Sequence, residues 1–260
     1  MNLSALEFSI LIPAFLAGLL VTATHVPMGI QVLQRGIVFI DLAIAQIAGL
    51  GIMLADLFGW EAQGLAAQGV AMSAAVAGAI VLTWAEKHWP DVQEATIGVS
   101  FVLAASAALL LLAGNPHGGE HLKDLLVGQI LWVNLSTLLP VLLIYAVILT
   151  IWCGFRERLG RAGFYVLFAC TVTISVQLVG VYLVFAGLII PALATRKFQT
   201  HRLAAAYATS AAGYALGLVL SSIFDLPSGA VIVWSMAVIA MLVYAARQAL
   251  LVRTTISVPT

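Results

Sequence analysis

The sequence predicts an all-α, polytopic integral membrane protein of about 8–9 transmembrane segments, some of them short or broken. Three observations carry this. Of 260 residues, 63% are hydrophobic and only 8% charged, where an ordinary soluble domain is about one-quarter charged. The mean hydropathy is +1.11, more apolar surface than a soluble fold of this size can hide. Apolar runs of the roughly 20 residues that cross a hydrocarbon core recur along the whole chain.

Taken in order, the predicted spans are 8–33, 37–58, 65–85, 95–113, 125–153, 203–223 and 229–250. A further apolar stretch, 162–190, lies between Arg161 and Arg196. It is long for one span and short for two. Gly180, Gly187 and Pro191 mark its second half, and Thr173, Ser175 and Gln177 lie near its centre. One reading is a single tilted helix. The other is two short helices, out and back, with the polar middle facing protein or water. Charge chooses between them. With two helices, Arg35, Lys87, Arg156, Arg158, Arg161, Arg196, Lys197, Arg202, Arg247 and Arg253 share one side, and only Lys123 falls on the other. That asymmetry is the signature of a cytoplasmic face. Nine segments, an external N-terminus and a cytoplasmic C-terminus follow as expectations, with eight segments as the alternative.

The whole chain, 1–260, reads as a single transmembrane domain with a free tail at about 251–260, without internal repeats. No basic region precedes the first apolar run, so no cleavable signal peptide is expected. Basic and acidic residues balance at 11 each, which disfavours nucleic acid as a partner and leaves lipid as the solvent. Cys153 and Cys170 both fall in apolar segments and read as small hydrophobes rather than a disulfide or metal pair. Walker, HExxH and GxSxG patterns are missing, so the chain itself is not expected to be an enzyme.

Polar groups inside spans are the candidates for chemistry. His25 lies in TATHVPMG, just before Pro27; Asp41 follows in the second span, and Gln46 comes five residues later. A charge at the bilayer centre costs at least about 2.5–3.5 kcal/mol, so it normally faces a cavity or a partner. Asp41 could instead be a structural carboxylate close to the interface, since Arg35 is near. His25 could be satisfied by one backbone carbonyl. Together they offer oxygen and nitrogen ligands suited to zinc or manganese, provided their helices are adjacent, as the short connection suggests. In the loop GNPHGGEHLKD, His117, Glu120 and His121 could attract metal at an external mouth; the plainer reading, a hydrophilic turn, is preferred.

The motifs VLQRGIVFIDLAIAQIAGLG, DLLVGQILWV, VQLVGVYLVFAGLIIPALATRKF and FDLPSGAVIV, in that order, resemble the permease subunits of bacterial zinc/manganese/iron ABC importers over roughly residues 8–250. The third also resembles vitamin B12 and siderophore permeases. The resemblance implies that Ala194–Ala205, with Arg196, Lys197, His201 and Arg202, is the cytoplasmic segment that docks on an ATPase. It also implies a second permease chain, an ATPase dimer, a metal-delivering binding protein and a bacterial inner-membrane location. No cofactor is implied beyond the transported ion. One departure stands out. The family's usual Gly-Asp-x-x-x-His places carboxylate and imidazole on one helical face, but here Ile40 precedes Asp41, Ala45 stands at i+4, and Gln46 lies about 140° further round. His25 is the candidate replacement. The expected function is import of a divalent transition metal, zinc first and manganese next. The alternatives are a metal-chelate or corrin-like cargo, or a proton-driven secondary transporter.

Overall fold

The computed structural model describes residues 7–60, 64–112, 126–155 and 158–256, with side chains through 248. Among these, nine helices follow one another: α1 (Phe8–Arg35), α2 (Ile40–Leu57), α3 (Leu65–His88), α4 (Gln93–Leu112), α5 (Leu135–Phe155), α6 (Gly160–Val179), α7 (Val181–Ala194), α8 (Arg202–Phe224) and α9 (Ser228–Ile256). Eight are long and apolar enough to cross a membrane; α7 is shorter. At 1.5 Å per residue its 14 residues span about 21 Å.

Local chemistry sets the breaks. Gly36 takes the left-handed conformation (φ 72°) that closes α1, its N–H returning to the carbonyls of Val32 and Leu33. Gly180 (φ 85°, ψ 161°) divides 160–194 into two helices, a conformation essentially restricted to glycine. The two-helix reading of that stretch therefore holds.

Side-chain contacts fix the directions. Gly18 lies under the Tyr214 ring, Thr22 meets Ser210 and the Tyr207 hydroxyl donates to the Ala23 carbonyl, so α1 and α8 are antiparallel. Gly213 packs on Met236 and Gly217 on Ile232, making α8 and α9 antiparallel. In α2 and α3, Gly51 meets Ala71 and Ile47 meets Gly78. At one end of the bundle Arg35 covers the Phe164 ring (4.3 Å), Trp152 packs against Phe164, and Arg161 pairs with Glu86 (3.5 Å). At the other end Gly128 touches the Val179–Gly180 backbone, and Gly229 touches the Val127 carbonyl. Accordingly α6 runs from the first end to the second and α7 returns. Arg35, Lys87, Arg158, Arg161, Arg196, Lys197, Arg202 and Arg247 all lie at or beside the first, basic end.

One predicted span needs correction. The run 125–153 is not helical throughout, because α5 begins only at Leu135. Before it, Gly128 (φ 72°) breaks the chain, and a single 3-10 turn at Ile130–Trp132 carries a buried Ile130 against α1. Non-helical backbone between spans is tolerated where protein covers it, and here Gly180 and Gly229 do so. The interior forms two connected groups: α1 packs with α7, α8 and α5, whereas α2 packs with α3, α4 and α6. α9 closes on α7 and α8.

Candidate functional site

His25 sits midway along α1 and is fully buried. Its Nδ1 lies 3.0 Å from the Val21 carbonyl and 3.1 Å from the Thr24 hydroxyl. A carbonyl can only accept, so that bond places the proton on Nδ1 and leaves a lone pair on Nε2. Nε2 has no partner among the described residues. A neutral imidazole oriented through Nδ1–H, with Nε2 free, is the form that ligates a metal ion.

The face of α1 that carries His25 is built for close approach. Gly18, Thr22, His25 and Gly29 recur at helical spacing. A Cβ at Gly29 would lie 2.0 Å from the Leu188 carbonyl, and one at Gly18 2.4 Å from the Tyr214 ring. The Thr22 and Ser210 hydroxyls meet at 2.8 Å. Nearby helices bury further hydroxyls: Tyr145 pairs with Ser175 at 2.5 Å, and the Tyr214 hydroxyl has no described partner. Sequence reasoning singled out Ser175 but missed Tyr145, Ser210 and Tyr214. The available signal was hydroxyl side chains in otherwise apolar spans.

Asp41 is placed differently. It occupies the first turn of α2 at the basic end and is 1% exposed. The backbone N–H groups of Asp41 and Leu42, at the start of the helix, are the polar groups beside its carboxyl, a placement that a helix N-terminus favours. The N-cap residue Phe39 supplies no side-chain bond of its own. One carboxylate oxygen, Oδ1, has no described partner. Gln46, also buried, lies just over one turn deeper, and Ala45 holds the i+4 position.

The adjacency expected of α1 and α2 is not found. From the turn at 36–39 they diverge into the two packing groups. Along α1, His25 stands ten residues before Arg35, about 15 Å from that end of the helix, whereas Asp41 stands at the start of α2. The structure does not bring the two together as one ligand pair. Among the described residues no group of three or more His, Cys, Asp and Glu is arranged to hold a metal. His117, Glu120 and His121 lie outside the described residues.

At the basic end, the linker 195–201 joins α7 to α8. Thr195 bonds back to the Pro191 carbonyl (2.8 Å), and Arg202 reaches the Ala192 carbonyl (3.4 Å). His201 takes a left-handed conformation (φ 56°), and its carbonyl accepts the Ala205 N–H. Arg196 and Lys197 face the Tyr244 ring of α9, and beside them is a groove of about 330 Å³ lined by Leu193, Ala237, Ala240 and Met241. A second cluster at this end ties four helices together: Gln93 donates to the Tyr165 hydroxyl (2.7 Å), Glu94 accepts the Phe39 N–H (3.3 Å), and Glu86 pairs with Arg161.

Comparison with known proteins agrees with this architecture. The sequence profile of the ABC 3 transport family matches residues 7–164 and 154–247. A "probable iron transport system membrane protein" of Haemophilus influenzae is 26% identical over 254 residues, covering 89% of this chain and 91% of that protein. PsaBC from Streptococcus pneumoniae, solved in complex with Fab, superposes with a TM-score of 0.71 at 20% identity, over 91% of this chain and 90% of that one. A structure described as "an inward-facing conformation of a putative metal-chelate type ABC transporter" gives 0.63 at 16% identity, over 94% of this chain and 85% of that one.

Proposed function

The chain belongs to the ABC 3 transport family, and from that premise we propose that it imports a divalent transition metal, zinc before manganese, into the cytoplasm. As a permease subunit it forms the membrane path, and ATP is hydrolysed by a separate subunit. Two copies of the chain flank the path, an ATPase dimer binds below, and a binding protein delivers the ion from outside. The basic end faces the cytoplasm of a bacterial inner membrane, with the C-terminus on the same side. The linker 195–201, bearing Arg196, Lys197 and His201 and followed by Arg202, is the ATPase-coupling segment.

The observation that carries the choice of cargo is the buried, unpartnered Nε2 of His25 in the middle of α1. A buried imidazole lone pair suits zinc or another first-row divalent ion. Because Asp41 lies at a different depth, the two residues serve as successive stations rather than a single site. His25 takes the ion within the bilayer. Asp41, with Gln46 one turn further in, offers a carboxylate near the cytoplasmic exit.

A metal-chelate cargo is the second reading. It is favoured by Ala45, where the resemblance leads one to expect a histidine. Uptake by the reconstituted permease, ATPase and binding protein separates the two. Zinc, manganese, iron and a cobalamin are offered with and without ATP. ATP-dependent zinc or manganese uptake is expected. Failure of every free ion while the chelate moves would overturn the leading assignment.

A further inference from the structure

Three cation–aromatic contacts join the linker 195–201 to the last helix. The Arg196 guanidinium carbon lies 5.7 Å from the Tyr244 ring centre, and the Lys197 Nζ lies 5.6 Å from it. In return, the Arg247 guanidinium lies 5.3 Å from the Phe198 ring. The linker thus supplies cations to a ring on α9, and α9 supplies a cation to a ring on the linker. Gln248 holds Tyr244 from the next turn, donating to its hydroxyl at 2.7 Å. Each contact is favourable within about 6 Å of a ring centre. The reciprocal contacts attach the linker to α9 at two points along the helix, Tyr244 and Arg247.

The helix on the receiving side is a rod. From Ala230 to Ile256 it contains neither proline nor glycine, the usual origins of a kink. By contrast α1, α5 and α7 each contain an internal proline. The far end of α9 is seated on backbone: a Cβ at Gly229 would lie 2.4 Å from the Val127 carbonyl. The adjacent Gly128 is itself in backbone contact with Val179 and Gly180. One stiff element therefore touches the linker at the basic end and the segment 127–134 at the opposite end.

We propose that Tyr244 and the Phe198–Arg247 pair are positioning residues that pass movement of the linker into α9, and through α9 to the contact of Val127 and Gly128 with Gly180 and Gly229. The proposal rests on the reading of the linker as the ATPase-coupling segment. None of these residues touches the cargo; their effect is on how much transport each ATP produces.

The test uses the complete complex in proteoliposomes and measures ions imported per ATP hydrolysed. Tyr244→Phe keeps the ring face but removes the hydroxyl that Gln248, Arg196 and Lys197 approach, and is expected to lose less of the ratio than Tyr244→Leu. Tyr244→Leu and Arg247→Gln are expected to retain the bound ATPase and its hydrolysis while import per ATP falls, up to about fivefold for Arg247→Gln, which loses one contact, and further for Tyr244→Leu, which loses two. Arg247→Lys, which keeps a cation, is expected to recover most of the loss. A reporter, Gln129→Cys in a background without Cys153 and Cys170, is expected to change its labelling by an impermeant thiol reagent when ATP is added, and Tyr244→Leu to abolish that change. An unchanged ratio and unchanged ATP-dependent labelling in Tyr244→Leu and Arg247→Gln would overturn the proposal. So would loss of ATPase binding in both, which would make the contacts part of docking instead. If the unsubstituted complex shows no ATP-driven import, the underlying reading fails first, and the proposal with it. Should Tyr244→Leu not fold, Arg247→Gln and Arg247→Lys carry the comparison.

Discussion

His25 and Asp41 keep their polar atoms in apolar surroundings by different means. The imidazole uses its own helix: Nδ1 meets the carbonyl one turn back and the Thr24 hydroxyl. The carboxyl of Asp41 sits beside the N–H groups at the start of α2. Both arrangements leave one atom uncommitted. Replacing His25 by Ala removes that nitrogen and breaks no hydrogen bond to another helix, but it leaves a cavity in the packed interior, whereas His25→Gln keeps most of the volume. Uptake should fall in both variants by at least the roughly 10–100-fold that loss of an outer-shell partner costs a metal site, while the melting temperature falls more in the alanine variant than in the glutamine one. Asp41→Asn is the complementary test. The amide oxygen still accepts from the helix N-terminus, so stability should hold, whereas uptake should drop if the negative charge attracts the ion. Wild-type uptake with Asp41→Asn would make this residue a helix cap only. That both positions hold buried polar groups was legible in the sequence, because a polar residue in a long apolar run is expensive and needs cover. Their separation was not. A three- or four-residue connection says that two helices meet at a turn, but packing of α1 on α7 and α8, through Gly18 and Gly29, decides where they go next.

Glycine positions govern the elements. Gly180 divides α6 from α7 with a backbone conformation closed to other residues, and its missing Cβ admits Gly128 at a distance where a carbon would lie 2.4 Å from the Gly128 nitrogen. Gly180→Ala should therefore destabilise the protein by at least the ~1–3 kcal/mol of a strained residue, seen as lost monodispersity or a lowered melting temperature in detergent. Gly98→Ala, a helical position with nothing within 4 Å of the added carbon, is the control and should be near neutral. The split at Gly180 was legible from the glycine, the excess length of the apolar stretch and the placement of arginines around it. The irregular segment before α5 was not. Its side chains are as apolar as those of a helix, and hydropathy measures side chains, whereas the break arises from one backbone torsion at Gly128 and the two glycines that receive it.

The asymmetry of the whole molecule lies in its charges. The described basic residues gather at one end while the opposite end holds Asp225 and the glycine contacts. If the basic end faces the cytoplasm, a cysteine at Asp225 in a cysteine-free background should react with an impermeant maleimide in intact cells, and one at Gln199 only after permeabilisation. The reverse pattern would invert the orientation and remove the ATPase from the linker. The meeting of Gly128, Gly180 and Gly229 also bears on biosynthesis. A chain emerging N-terminus first delivers these three glycines in widely separated instalments, so the bend at Gly128 waits, without its native cover, for α6 and then α9. Completion of this contact thus reports that the final helix has inserted, and a chain truncated before α9 would present the bend uncovered to the machinery that removes unfinished membrane proteins.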